Sequence, residues 1–369
     1  MPPRAGVRLG LAGAQVPGAC RAHGAGRIAL IRALVDRLLG SYRFRQALEA
    51  LIRARVGHAR FAAPADLSLP EVPARYGLAG PPADGTGEGA IFVTARFRTG
   101  STFLWQLFNR LEGYAAFYEP LNERHGPGNT WGPVDPTHRG ASDYRLHYDR
   151  AADARRLHRE AWSFENLYMD EGDWDPDLYD YIRGLCALPG AVPVLQFNRV
   201  DFRLRWLRTH FPGARIVHLF RNPRDQWISA LGKAPLTSAA TVADFEPHDR
   251  FYLLTWARDL ARVYPFLAPE AHRTPYALHY LIWRLSHAHG VRHADVSVAY
   301  EELCADPAAV MGRVLACCGR EAEPRQLAGL SSLADPPVEA RWSRFAPASW
   351  FEAVEADCER ILRAAFPVS

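Results

Sequence analysis

The sequence predicts an α/β domain built on a mostly parallel sheet with helices on both faces. Short apolar runs of strand length recur at residues 91–94, 114–118, 193–197, 216–220 and 296–300, with segments of helical period between them. Most of these runs end in a turn that opens a helix, which is the order of a repeating strand–helix chain. With 369 residues, 48% of them hydrophobic, the chain can bury a substantial core.

The first strand, Ile91-Phe92-Val93-Thr94, feeds a turn over 95–101 and a helix opened by Ser101 and Thr102. Phe103, Leu104, Leu107, Phe108 and Leu111 keep the 3.6-residue period of that helix. Its first amides have no intrahelical partner and carry roughly +0.5 charge between them, so they make a ready anion site. Arg96 and Arg98 add side-chain donors, and Thr99, Ser101 and Thr102 add hydroxyls around Gly100. The nucleotide-triphosphate loop G-x-x-x-x-G-K-[ST] is not present: the turn has one glycine, and Lys233 is the only lysine in the chain. A P-loop kinase is disfavoured on that ground.

A second strand, Tyr114–Tyr118, ends at Glu119, and a third, 193–197, ends at Asn198-Arg199. The fourth, with Ile216, Val217, Leu219 and Phe220, turns through Arg221-Asn222-Pro223-Arg224 into a helix that carries Ser229. An arginine at the carboxyl end of a parallel strand and a serine on the second turn of the next helix can grip one dianion together.

These residues resemble the sulfotransferases that use 3′-phosphoadenosine 5′-phosphosulfate (PAPS). Arg98-Thr99-Gly100-Ser101-Thr102 is similar to their 5′-phosphosulfate loop, and Tyr118-Glu119-Pro120-Leu121 follows as in the membrane carbohydrate sulfotransferases. The spacing of Arg221 and Ser229 matches the family's pair on the 3′-phosphate. A strand ending in Tyr300-Glu301-Glu302-Leu303, followed by Asp306-Pro307, is a softer match. The basic segment Arg341-Trp342-Ser343-Arg344 stands where relatives close a loop over the adenosine and 3′-phosphate, so Arg341 or Arg344 is expected there. The resemblance runs from about residue 89 to the C-terminus and implies a P-loop-like three-layer α/β/α fold.

What it implies chemically is transfer of a sulfuryl group from PAPS to a hydroxyl, or to an amine, of a carbohydrate, glycolipid or other small acceptor, leaving 3′-phosphoadenosine 5′-phosphate. Glu119 is expected as general base and Arg98 as stabiliser of the leaving phosphate, with Arg96, Arg98, Thr99, Gly100, Ser101, Thr102, Arg221, Ser229 and Arg341 binding the nucleotide. Small-molecule sulfotransferases place Lys-Thr-His after the third strand; here Asn198 and Arg199 stand instead, which removes that histidine and favours Glu119. Arg199 is read either as a second charge-stabilising arginine or as a partner of Asp201. A non-catalytic anion-binding protein on the same scaffold is the alternative from another class.

The net charge of +4 excludes the concentrated basic face of a general nucleic-acid binder. No His, Cys or Asp cluster has metal-ligand spacing, so no metal is expected. Six scattered cysteines suit a reduced cytoplasmic protein, and no run of eighteen apolar residues predicts a membrane span. Residues 1–88 are expected to form an N-terminal extension ahead of a domain over 89–369. Its first 25 residues lack a signal-peptide pattern and read as a disordered head or an early start codon. Residues 27–56 interleave arginines with helical-period leucines and isoleucines. They fit either a helical pair packed on the domain or a basic amphipathic surface that contacts anionic membranes. A Pro/Gly-rich linker over 62–89 follows. The aromatic stretch 122–174 is expected to offer an acceptor-binding face, residue by residue in competition with ordinary core anchoring. Residues 251–267 and 275–289 read as helices.

Overall fold

The computed structural model describes residues 87–125, 134, 143–333 and 341–366. The expected extension over 1–88, its basic amphipathic segment and Trp131 of the aromatic stretch therefore lie, but for residues 87 and 88, outside the described residues. Five strands, β1 Ile91–Ala95, β2 Tyr114–Tyr118, β3 Val192–Phe197, β4 Arg215–Phe220 and β5 Val296–Ala299, form one sheet in the order β2-β3-β1-β4-β5. Every pairing is parallel; Ile91 lies opposite Val194 on one side and Arg215 on the other. This is the mostly parallel, helix-covered sheet that the sequence predicts.

All five residues of β1 are buried, and they alternate between the two faces. Ile91, Val93 and Ala95 point into a layer with α1 (Ser101–Arg110), where Leu104, Leu107 and Phe108 meet Val310, Met311 and Val314. Phe92 points the other way, toward α2 (Pro176–Cys186) and α3 (Leu204–His210), packing edge-on against Phe197 and Phe211. A period-two strand with both faces apolar is what a doubly covered sheet requires. Because β1 is central and the chain departs from it in both directions, its carboxyl end is the switch point where a crevice opens.

A third apolar cluster joins α4 (Pro223–Leu231), α5 (Leu253–Leu260), α6 (Pro275–His293) and the C-terminal segment. Between α6 and the C-terminus, α7 (Tyr300–Ala305), α8 (Pro307–Cys317) and α9 (Pro324–Leu330) lead to α10 (Ala348–Ala365). Arg224 of α4 donates two hydrogen bonds to Glu355 of α10, at 2.8 and 2.7 Å, and stacks on Trp342 and Phe351. Glu355 also accepts from Tyr276 at 2.6 Å.

Several boundaries differ from expectation. Residues 251–267 are not one helix: α5 ends at Leu260, and Pro265 opens a separate 3₁₀ turn because proline cannot donate to a continuing helix. The helix after β4 starts at Pro223, with Asn222 capping Arg224, so proline takes the first helical position where its missing N–H costs nothing. Of the aromatic stretch, Tyr144, Tyr148, Trp162 and Phe164 are core residues, and Trp174 is exposed. Arg203 holds part of this connection to the sheet by donating to the carbonyls of Trp162, Glu165 and Asn166.

Histidines are unusually deep. His218 of β4 lies against Gly290 of α6, where a Cβ would overlap its ring, and His279 and His289 are also buried on α6. Burial pushes His218 and His279 down to about 3 and His289 to about 4, so all three are neutral in the fold. Unfolded histidines protonate near 6.5, so below that pH the unfolded chain binds protons the folded one refuses, and stability falls. Each such group costs about 1.4 kcal/mol per pH unit once the pH is well below 6.5. The melting temperature is expected to drop between pH 7 and pH 5 in calorimetric scans; a flat profile would contradict neutral burial.

Candidate active site

The loop between β1 and α1 is built on two left-handed residues. Arg98 has φ +67° and Gly100 φ +92°. The ring of Tyr300, the first residue of α7, lies so close to Gly100 that any Cβ there would overlap it. Glycine is thus required both by backbone conformation and by space. Gly100 is the N-cap of α1, and no side chain caps the first turn, which leaves its amide donors for an anion.

Two stretches 131 residues apart in sequence meet here. Arg98 Nε donates to Ser229 Oγ at 3.0 Å, and Arg221 Nη1 donates to the Arg98 carbonyl at 3.2 Å. The Arg221 guanidinium sits 4.7 Å from the Tyr300 ring centroid, and its Nε is buried without a hydrogen-bond partner among the described residues. Glu301 accepts from the Asn222 amide at 3.0 Å, and Gln226 donates to the Phe97 carbonyl at 2.6 Å. Tyr300 and Glu301, which the sequence offered only as a soft motif, therefore support both loops. Asp225 stands one turn before Ser229, and the charge and backbone of Arg341 act on its carboxyl. Burial raises the Asp225 carboxyl, against the pull of Arg221.

The hydroxyls divide. Thr99 donates to the Arg96 carbonyl at 2.7 Å and so serves the loop itself, and Thr102 is bonded to Tyr118 at 3.0 Å. Ser101, the first residue of α1, is buried beside Gly100. Arg96 departs from the expected donor role. Its guanidinium is 7% exposed and pairs with Asp201 at 3.4 Å, where Asp201 also accepts from Thr94 and Ser286. Burial lowers the Arg96 pKa and raises that of Asp201, each against the attraction of the other. Arg96 still lines a small cleft with Phe97, Gln226, Trp227, Phe245 and Phe251.

Glu119 sits at the carboxyl end of β2, 6% exposed, with φ +42°. Left-handed backbone in a non-glycine residue costs of order 1–2 kcal/mol and is held only where its surroundings over-determine it. Here they do: Oε1 accepts from Asn198 at 2.5 Å, and Oε2 accepts from Asn122 at 2.6 Å and Arg199 at 2.8 Å. Arg199 therefore pairs with Glu119, not with Asp201. Its second nitrogen donates to Glu123 at 2.8 Å, and Phe97 lies under its plane. Burial disfavours its charge, but Glu119 and Glu123 outweigh that and hold its pKa above the ordinary value. The roles of Asn122 and Glu123 carried no motif; their place three and four residues after Glu119, beside the neighbouring strand's end, was the available signal. Among the described residues no group of three or more His, Cys, Asp or Glu is placed to hold a metal ion.

A family model described as "Sulfotransferase family" matches residues 90–324, well over half of the chain. Nine solved chains also match. One is a sulfotransferase from Alicyclobacillus acidocaldarius, 16% identical, with 76% of this chain and 96% of that chain covered and a TM-score of 0.36. Another is sulfotransferase STF9 from Mycobacterium avium, 14% identical over 78% of this chain and 79% of that chain, TM-score 0.42. A third is the sulfotransferase domain of the Synechococcus PCC 7002 olefin synthase, 16% identical over 79% and 99%, TM-score 0.33. No curated protein matches.

Replacing Gly100 with Ala is expected to cost about 1–2 kcal/mol from the left-handed backbone alone, and more from displacing Tyr300. The readout is a lowered denaturation midpoint, and an unchanged midpoint would show that Tyr300 is not held against the loop.

Proposed function

The chain belongs to the sulfotransferase family, and from that premise we propose that it transfers a sulfuryl group from PAPS to a hydroxyl of a carbohydrate, glycolipid or other small acceptor, with an amine as the second acceptor class. The observation that carries this reading is the meeting of Arg98, Ser229 and Arg221 at the uncapped first turn of α1. A nucleotide bearing two separated anionic groups fits that arrangement: the 5′-phosphosulfate against the α1 amides and Arg98, the 3′-phosphate against Arg221 and Ser229. Arg221 Nε, buried without a hydrogen-bond partner among the described residues, is a donor suited to such a group.

In the reaction the acceptor oxygen attacks sulfur in line while its proton passes to Glu119. The new O–S bond forms as the bond between sulfur and the 5′-phosphate oxygen breaks, and 3′-phosphoadenosine 5′-phosphate departs with the electron pair. Arg98 and the α1 amides absorb the charge that develops on that oxygen, a preorganised electrostatic contribution. Arg341 is assigned in this reading to close over the 3′-phosphate, on the resemblance of its segment to that of relatives. Phe251, over which Arg98 lies at 5.8 Å, offers the acceptor a planar surface beside that arginine.

A reduced, cytoplasmic setting is part of this reading. It suits the thiols of Cys186, Cys318 and Cys358, each pushed up to about 12 by burial and so held as unreactive thiols. Among the described residues no helix is long and apolar enough to cross a membrane.

Calorimetric titration with 3′-phosphoadenosine 5′-phosphate is expected to show binding that weakens by about 1.5–3 kcal/mol in each of Arg98→Ala and Arg221→Ala, the worth of a charge-assisted contact. Absence of binding by folded protein would overturn the assignment. Glu119→Gln is expected to keep nucleotide affinity while release of 3′-phosphoadenosine 5′-phosphate from PAPS falls by about 100-fold or more. A Gln variant of full activity would remove Glu119 from the mechanism.

A further inference from the structure

The turn into α4 carries two arginines, three residues apart, with different partners. Arg221 lies over Tyr300 and donates to the Arg98 carbonyl, on the side of the β1 loop. Arg224 reaches α10 instead, where its Nε and Nη2 donate to Glu355 Oε1 and Oε2 at 2.8 and 2.7 Å. A two-point fork of this kind fixes orientation as well as distance. Both side chains are mostly buried, 17% and 16% exposed. Glu355 Oε1 also accepts from Tyr276, a fully buried residue of α6, at 2.6 Å. The clasp is therefore rooted in the core, unlike an exposed ion pair, which contributes little.

The same guanidinium lies 5.0 Å from the Trp342 ring centroid and 5.3 Å from that of Phe351. Trp342 packs edge-on against Phe351 of α10, with 5.5 Å between centroids, and its carbonyl accepts from the Phe345 and Ala346 amides. The single 3₁₀ turn Arg341–Arg344 is thus seated on α4 through its second residue. Arg341, the first, is exposed, and its charge and backbone act on Asp225, the residue after Arg224. An exposed arginine has many rotamers, so where its charge falls depends on how its backbone is seated. From the other direction Glu301 of α7 holds the Asn222 amide at 3.0 Å. The turn that carries Arg221 and leads to Ser229 is braced by α7 on one side and by α10 on the other.

We propose that Arg224, Trp342 and Glu355 are positioning residues for the nucleotide's 3′-phosphate, seating Arg341 and the first turn of α4 beside Arg221 and Ser229; this rests on the reading of that place as the 3′-phosphate site. Arg224 stands in an arginine-bearing turn at the mouth, yet its fork is committed to Glu355 and its face to two rings, so it serves the phosphate only through what it holds. By the same path α10 bears on nucleotide affinity without itself offering a donor.

The test is calorimetric titration with 3′-phosphoadenosine 5′-phosphate and with adenosine 5′-phosphate, which differ only in the 3′-phosphate. Glu355→Gln is expected to bind the first about tenfold more weakly, roughly the worth of one charge-assisted contact, and the second as the wild type does. A negative charge removed near an anion site would by itself strengthen anion binding, so the sign separates positioning from simple charge. Trp342→Ala, and Arg224→Lys, which keeps the charge but loses the fork and the stack, are expected to show the same selective loss. Equal losses for both nucleotides would mark general damage to the fold, and unchanged or tighter binding of 3′-phosphoadenosine 5′-phosphate by Glu355→Gln would leave the clasp without influence; either result overturns the proposal. Should Glu355→Gln fail to fold, Arg224→Lys decides by the same comparison. A wild-type protein that does not favour the nucleotide bearing the 3′-phosphate sinks the reading of the site, and this inference with it.

Discussion

The contact between the Tyr300 ring and Gly100 is the constraint on which the rest of the site depends. It forces a residue without a Cβ at the N-cap of α1, and it sets the ring under the Arg221 guanidinium. The β1 and β4 loops therefore both take their position from one aromatic side chain at the end of β5. With Glu301 bonded to the Asn222 amide, the β5–α7 junction aligns the β1 and β4 loops without itself supplying a charged donor to the mouth. Placing this support on the sheet, not on a long connection, keeps the donors where a ligand would need them before it arrives.

The buried charges obey a second rule. Arg96 and Arg199 stand on adjacent loops, both nearly inaccessible, and each has its own acidic partner: Asp201 for one, Glu119 and Glu123 for the other. Removing one member of such a pair leaves an uncompensated charge in a medium of low dielectric, a loss of several kcal/mol, although the intact pair adds little net stability. The two pairs therefore serve arrangement more than stability. Asp201 with Thr94 and Ser286 anchors the root of the loop, and Glu119 with Asn122, Asn198 and Arg199 is held in a backbone conformation it would not choose alone.

Much of this was legible in the residues themselves. Strand positions and the parallel sheet follow from apolar runs and from turns at their carboxyl ends, because those signals are local; the grouping of Arg98 with Arg221 and Ser229 came from the resemblance of their motifs. Partner choice among the arginines was not. Arg96 and Arg98 are two residues apart in one loop, yet only the fold decides that the first turns toward Asp201 and the second toward Ser229. The same holds for Arg199, whose nearest acidic residue in sequence, Asp201, is taken by Arg96. Likewise the aromatics of 122–174 have the composition of a binding face, but Tyr148 and Trp162 spend it on the core, where their hydroxyl and indole still find the Tyr118 carbonyl and Asp175.

The central position of β1 also bears on how the chain comes to be folded. Both neighbours of Ile91, Val194 and Arg215, lie roughly a hundred residues or more downstream, so at about 5–20 residues per second of synthesis the strand waits for several seconds with two open edges. A parallel sheet closed by such distant pairings is slow to nucleate and vulnerable to edge association meanwhile. The last strand and the Arg224–Glu355 clasp come later still. Both edges of β1 can therefore be covered only after synthesis has passed residue 215, whatever has folded before it.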